Sequence, residues 1–433
     1  MSKTLTSSSV KEGLQRNGAS LLDKSIPVNF DFDSAIASES TVNILQDGLH
    51  FPLLVLKETA LAYNLAAMAE WCAANHFLIA PHGKTTMTPR IFERQMEAGA
   101  WAITVATVSQ AAICVETGIK RVLIANQVVG RANLRSLAAM MKADPTLDVL
   151  CLVDSSEGIE FLTSEWQAAG ANRSLGVLVE MGRQGWRTGA RSIESARELC
   201  AEVLRHPQTM RLRGIEGFEG LAHAAEPGED VKQVRQFLAN IAALGNEVQS
   251  LHRTDKEPLL FSVGGSSFLD AIWEVGQQMR EGFQFVIRSG CYVTHDHGSY
   301  AQRLAAAQQR SNGAHLPAFR PALELWSHVQ SKPEEGLALL NFGKRDCPYD
   351  AGLPIPLFAQ NPDSGRRIDL STATVFNTND QHAHLRGPGS EHLRVGDQVC
   401  CGISHPCTAF DKWRALPVVD DSYNLLDIYR TYF

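Results

Sequence analysis

Phe77-Leu78-Ile79-Ala80-Pro81-His82-Gly83-Lys84-Thr85 is an apolar run that ends in a proline, a histidine, a glycine and a single lysine. The run reads as a buried strand. Thr88-Pro89 follows as a helix N-cap with proline in the first turn. That helix carries Ile91, Phe92 and Met96 and stops near Gly99. A lysine at the end of a buried strand has two readings. It can snorkel its ammonium out to water along its own methylenes. Alternatively it is held partly desolvated, neutral and nucleophilic, as a Schiff-base lysine is.

The same strand-turn-helix unit repeats outward from this stretch. Strands are expected at 77–80, 101–106, 121–129, 147–153, 175–180, 211–218 and 259–263, with an eighth from 285. Helices fall between them at 89–98, 109–117, 133–142, 156–168, 193–204, 231–244 and 268–279. Several strands are apolar on both faces, as parallel strands covered by helices are. A doubly wound sheet would show the same alternation. The count closes at eight and the pattern then changes, which favours an α/β fold of the (β/α)8 barrel type. Upstream, Phe51 to Leu56 reads as a strand, followed by a helix with Leu61, Leu65, Met68 and Cys72 on one face. After Val293 the helical period fades into short strands and Pro/Gly-rich connections. The expected organisation is an arm at 1–50 that could join the β domain, a barrel at 51–293 and a mostly β domain at 294–433.

The chain has 433 residues, 44% hydrophobic and 20% charged, the balance of a globular protein. A net charge of −7 without any dense Lys/Arg run argues against nucleic acid or an anionic membrane as partner. No apolar segment approaches a membrane span. Residues 1–9 are polar, without a signal-peptide core. Nine cysteines without framework spacing suggest reduced thiols and a cytoplasmic setting.

In such a barrel, chemistry collects at the C-terminal ends of the strands. Lys84 lies just past strand one. Gly264-Gly265-Ser266-Ser267 follows strand seven, and Arg288-Ser289-Gly290-Cys291-Tyr292 follows strand eight. Both turns can offer backbone N–H groups to one anion. Arg187, beyond strand five, could donate to a phenolate-like oxygen, or could pair Glu180 or solvent. In the β domain, His405 and Cys407 would share a face if extended, and imidazole plus thiolate is a zinc-preferring pair. His382 could be a further polar partner. His295 and His297 could bind metal, though a solvated loop fits them better.

These residues resemble fold-type III pyridoxal phosphate enzymes related to D-serine dehydratase and D-threonine aldolase. The resemblance rests on Pro81-His82-Gly83-Lys84-Thr85, Arg187 in its Arg-x-Gly, Gly264-Gly265, Ser289-Gly290-Cys291-Tyr292 and His405-Pro406-Cys407, in the family's order from about Phe51 to Trp413. It implies an alanine-racemase-like barrel, a D-serine dehydratase-like β domain and commonly a homodimer. Lys84 would carry the pyridoxal 5'-phosphate as a Schiff base, with His82 beside it and Arg187 at the ring oxygen. Gly264, Gly265, Ser266, Gly290, Cys291 and Tyr292 would hold the phosphate. His405 and Cys407 would ligate zinc or another divalent metal. Two positions depart from the family: Ala80 where an arginine is usual, and Phe218 where a tyrosine usually meets the pyridine nitrogen. Phe218 cannot hydrogen-bond, so Glu216 or His223 would take over, or the nitrogen stays unprotonated.

The expected activity is a lyase that eliminates water from D-3-hydroxy amino acids, such as D-serine or D-threonine, giving an oxo acid and ammonia. Lys84 would be the catalytic base and the metal a Lewis acid on the β-hydroxyl. The rival reactions are aldolase-type cleavage of the Cα–Cβ bond and racemisation. A non-catalytic cofactor-binding protein is the rival from another class.

Overall fold

Apolar runs of the repeating unit become strands that are buried on both faces. The computed structural model describes residues 23–27, 42–46, 48–222, 228–251, 257–279, 282–311 and 316–433. A first strand, β1 (Leu53–Lys57), leads into helix α1 (Glu58–Asn75). The barrel strands then follow as β2 (Leu78–Ile79), β3 (Ile103–Val105), β4 (Arg121–Gln127) and β5 (Asp148–Val153). The second half of the barrel is β6 (Leu175–Met181), β7 (Met210–Gly217), β8 (Leu259–Val263) and β9 (Phe283–Ile287). Between successive strands run α2 (Pro89–Glu97), α3 (Val108–Glu116), α4 (Arg131–Ala143) and α5 (Ser156–Ala168). They continue with α6 (Ile193–Val203), α7 (Glu229–Leu251) and α8 (Leu269–Gln278).

All neighbours in this eight-stranded sheet pair in parallel, in the order β2-β9-β8-β7-β6-β5-β4-β3. Trp101 N donates to Ile79 O at 2.8 Å and Thr104 N to Pro81 O at 2.8 Å, which joins β2 to β3 and closes the barrel. Leu123, Leu150, Leu152, Leu178, Leu260 and Val286 fill the interior as one buried cluster. Each such side chain contributes about 2 kcal/mol by leaving water. Ala80 lies fully buried in the same cluster, so the position that departs from the family is part of the barrel core. Local sequence sets several helix starts. Thr107 and Ser155 accept the Gln110 and Gly158 N–H groups, and Ser192 and Ser195 form a reciprocal capping box. Each cap is worth about 1 kcal/mol.

A helix also follows the eighth strand: α9 (Ser299–Arg310), where the sequence suggests that helical periodicity has ended. Its only fully buried residues are Leu304 and Ala307, too thin a stripe to stand out. The helix is instead fixed at its ends. Asp296 accepts the N–H groups of Gly298, Tyr300 and Ala301 at 3.0 Å each, and Arg310 makes a two-pronged contact with Asp270 at 2.7 and 2.9 Å.

The remaining strands are β10 (Leu323–Glu334), β11 (Leu337–Leu340), β12 (Ile355–Gln360), β13 (Arg367–Asp369) and β14 (Thr374–Thr378). After them come β15 (Ala383–Arg386), β16 (Gln398–Gly402), β17 (Ala415–Val419) and β18 (Leu425–Arg430). They form a second sheet whose main path is β13-β12-β16-β10-β1-β17-β18. β1 sits in its middle: Leu53 pairs antiparallel with Trp326, and Leu56 pairs parallel with Val418. Sequence position places this strand at the head of the barrel segment, but its partners are in the other sheet. The described part of the arm packs there too, with Ile44 N bonded to Tyr423 O at 3.0 Å and Ile44 and Leu45 clustered against Leu53 and Trp326.

Candidate active site

Lys84 stands in the one-turn 3-10 segment Gly83–Thr85, directly beyond β2. A side chain on Gly83 would come within 2.9 Å of Phe92 and Ile103, so this turn is pressed between α2 and β3. A side chain on Gly290 would lie 2.5 Å from the His82 carbonyl oxygen. The turns after the first and eighth strands therefore touch backbone to backbone, which only glycine permits here.

Lys84 is exposed by surface area, yet its amine is held below the ordinary lysine range. Desolvation is the main cause, opposed by Cys407 and Cys291 and reinforced by the Arg187 and Arg288 guanidinium groups. His82 is pushed well below its usual range by burial first, then by Lys84, Arg288 and Arg187, and stays neutral. Its Nδ1 is buried with no hydrogen-bond partner among the described residues. The exposure matches the snorkelling reading of Lys84, and the lowered amine matches the desolvated one.

The two candidate anion turns behave differently. Gly264 N and Gly265 N point at the Glu219 carboxylate, at 3.0 and 2.9 Å. The anion those two N–H groups hold is a buried side chain of the chain itself, so a phosphate is left to the neighbouring groups. Ser266 and Ser289 meet through their hydroxyls at 2.8 Å, which brings the seventh and eighth strand ends together. Gly290 and Cys291 follow at once, and Cys291 opens a 3-10 turn that runs to Val293. Gln95 Nε2 donates to the Tyr292 hydroxyl at 3.4 Å, and Tyr292 lines a small cavity with Ser266, Ser289 and Cys291.

Arg187 stacks over the Phe218 ring, 4.5 Å from its centroid. It does not take Glu180, which accepts from Gln127 at 2.6 Å and Thr188 at 3.0 Å. Glu216 is buried against Arg288, whose Nη2 also reaches Gly217 O at 3.2 Å. Burial raises the Glu216 carboxyl to about 7 even though Arg288 opposes it. Glu216 is thus committed to an arginine, and His223 lies outside the described residues.

The β domain delivers its pair to the same place. His405 Nδ1 lies 2.7 Å from Asp350 Oδ2, and Thr408 Oγ1 donates to Asp350 Oδ1 at 2.8 Å. The ring nitrogen left for a metal is Nε2, oriented by a carboxylate behind it, as metal-binding histidines are. Burial pushes this imidazole down, but Cys407 and Asp350 outweigh burial and hold it up at about 9. The Cys407 thiol is drawn well below its ordinary range, first by Cys291, against burial, then by His405. Thr85 Oγ1, next to Lys84, lies 3.4 Å from Cys407 Sγ. Among the described residues no three His, Cys, Asp or Glu side chains already surround one point as a metal cage. The donors that are present fit a divalent metal in kind: a thiol drawn toward thiolate and an imidazole backed by a carboxylate. The barrel rim fits pyridoxal phosphate in kind: a depressed lysine amine, an unpartnered buried imidazole nitrogen and paired serine hydroxyls among cations.

His382 stands at the turn between β14 and β15, where its carbonyl accepts Asn379 N at 2.8 Å; Asp350 is the partner of His405. His295 and His297 are not in a solvated loop. His295 is 6% exposed, and the His297 ring lies so close to Gly402 that a side chain there would clash. All nine cysteines are free. No helix among the described residues is long and apolar enough to cross a membrane. Sequence reasoning missed Glu219, Asp350 and Thr85 as site residues, and the Arg288–Glu216 pair. Each of them acts through a partner far away in sequence, which the chain order does not show.

Comparison with known proteins agrees with this arrangement. Residues 56–269 match the family described as "Alanine racemase, N-terminal domain", and residues 322–419 match the "Putative serine dehydratase domain". The chain is 26% identical to a D-threonine aldolase of Arthrobacter sp over 372 residues, 86% of this chain and 89% of that protein. Among solved structures it is similar to D-threonine aldolase from Filomicrobium marinum, with TM-score 0.75 and 24% identity over 91% of this chain and 98% of that one. D-threo-3-hydroxyaspartate dehydratase from Delftia sp. superposes with TM-score 0.70 at 18% identity, over 90% and 99% of the two chains. An alanine-racemase-type barrel followed by a serine dehydratase-type β domain, with the lysine turn and the His-x-Cys pair meeting between them, places this chain in the D-serine dehydratase-like family of fold-type III pyridoxal phosphate enzymes.

Proposed function

We propose that this protein eliminates water from a D-3-hydroxy amino acid, releasing an oxo acid and ammonia. The observation that carries this reading is the 3.4 Å contact between Thr85 Oγ1 and Cys407 Sγ, which sets the lysine turn of the barrel against the thiol–imidazole pair of the β domain. One side supplies a base for the α-proton, the other a binding place for the β-hydroxyl. Pyridoxal phosphate, when bound, spreads the electron pair that the departing α-proton leaves behind. Lys84 holds the cofactor and, once displaced by substrate, takes that proton on Nζ; the lowering of its amine, by desolvation first, supports this role. His82, Arg187, Ser266, Ser289, Gly290 and Cys291 orient the cofactor at the rim. A divalent cation such as zinc on His405 and Cys407 would draw charge from the β-oxygen, which leaves as water. The released enamine hydrolyses to the oxo acid and ammonia.

A second reading, cleavage of the Cα–Cβ bond, is favoured by the relatives named D-threonine aldolase. It uses the same groups, with the β-hydroxyl deprotonated instead of expelled. D-threonine separates the two. Elimination yields 2-oxobutanoate and ammonia in equal amounts; glycine with acetaldehyde overturns it in favour of the aldolase. If neither pair forms, and a Lys84→Ala protein binds the cofactor as tightly as the parent, the chain is a carrier and not a catalyst.

A further inference from the structure

Cys291 does two jobs at the rim. Its backbone belongs to the turn after β9 that also carries Gly290, while its side chain points across to the β domain. Cys291 Sγ lies 3.2 Å from Cys407 Sγ, and the Thr85 hydroxyl is 4.0 Å from the first sulfur and 3.4 Å from the second. Tyr300, in the first turn of α9, interacts with the Cys291 thiol through its hydroxyl, and its ring is tilted at 51° to that of His405 with centroids 5.9 Å apart. Cys291, Cys407 and His405 therefore form one contiguous group, closed behind by Asp350.

We propose that Cys291 is a third protein ligand of the metal, so that the centre is a Cys2His site with its fourth position open to the substrate hydroxyl. This rests on the metal reading above and extends it to a residue of the barrel. Two thiolates bound at about 2.3 Å in a tetrahedral site stand about 3.8 Å apart. The thiol pair thus needs to open by only about half an ångström when a metal replaces the proton it shares. Three ligands with one open position is the usual make-up of a catalytic zinc centre, and a Cys2His set is among the known ones. Two ligands alone would leave the ion mostly hydrated and loosely held. The third ligand also ties the metal to the turn that carries Gly290, so the cofactor's phosphate end and the Lewis acid would share one rigid support.

The test is zinc K-edge X-ray absorption on the full-length protein loaded with pyridoxal phosphate and one equivalent of zinc. The expected spectrum has two sulfur scatterers per zinc at about 2.3 Å. In Cys291→Ser the sulfur count falls to one and zinc affinity, measured by chelator competition, drops at least tenfold. An unchanged near-UV circular dichroism spectrum shows that this variant folds. One sulfur per zinc in the parent protein overturns the assignment of Cys291 while leaving the His405–Cys407 pair as the site. Zinc that fails to bind, or binds with no sulfur, overturns both.

Discussion

In the proposed reaction Lys84 is the base, and desolvation with Arg187 and Arg288, against Cys407 and Cys291, lowers its amine from the ordinary lysine range. Lys84→Ala should lose the visible absorption band of lysine-bound cofactor and at least a thousandfold of kcat, as removal of a covalent anchor and base does. The measurement is a spectrum alongside turnover of D-threonine. Glu219 has a different role, because its carboxylate satisfies two buried N–H groups. Glu219→Ala leaves both unpaired beside a new void and should cost about 2–4 kcal/mol of stability in urea unfolding. Glu219→Gln keeps one acceptor and should cost less. Lys84 stands out in the sequence because a strand end, a glycine and a helix cap are local signals. Choosing between its two readings takes the distant Gly264-Gly265 and Ser289-Gly290 turns and the family resemblance. Glu219 does not stand out, because its partners are the Gly264 and Gly265 amides, reached only when the barrel closes.

The barrel elements are legible because parallel strands covered on both faces leave short, largely apolar runs, and β5 and β8 show this plainly. Helix α9 escaped because end contacts, not an apolar stripe, hold it in place. The turn that precedes it makes a pH prediction. Burial lowers His295 and His297 from 6.5 to about 4, and the His297 charge adds a smaller lowering to His295. The unfolded chain binds these protons near pH 6.5 and the folded one only near pH 4, so this stability is complete above 6.5 and is lost as pH falls toward 4. For buried His295 the loss is about 2–3 kcal/mol; half-buried His297 loses less. Glu216, raised to about 7, works in the opposite direction, so the comparison must be with a variant. Urea midpoints between pH 7.5 and 4.5 should fall less steeply in His295→Asn than in the parent; parallel curves would refute the assignment.

At the scale of the molecule, β1 binds the two sheets into one folding unit. It enters the barrel segment at α1 while its own hydrogen bonds go to β10 and β17. Arg94 of α2 reinforces the junction with two contacts to Glu58 at 2.7 Å and one to Tyr429 at 3.4 Å. A chain shortened to 51–311 would expose the apolar length of β1 and should aggregate, whereas the full chain should unfold in a single transition. Barrel Trp166 and sheet Trp326 and Trp413 are all buried and report on both halves. Tryptophan fluorescence and circular dichroism should therefore give the same midpoint; a soluble, folded 51–311 fragment would show that the halves are independent. The sequence could identify β1 as a strand but not its sheet, because an apolar pentapeptide carries no record of partners some 270 and 360 residues away.

The position of β1 also orders events during synthesis. Leu56 leaves the ribosome some 360 residues before Val418, its partner in the parallel neighbour β17. At about 5–20 residues per second, that gap is roughly 20–70 s. The nascent barrel therefore carries an apolar strand that has no partner until β10 emerges and only one until β17 does, a segment that a trigger-type or Hsp70-type chaperone would recognise in the interval.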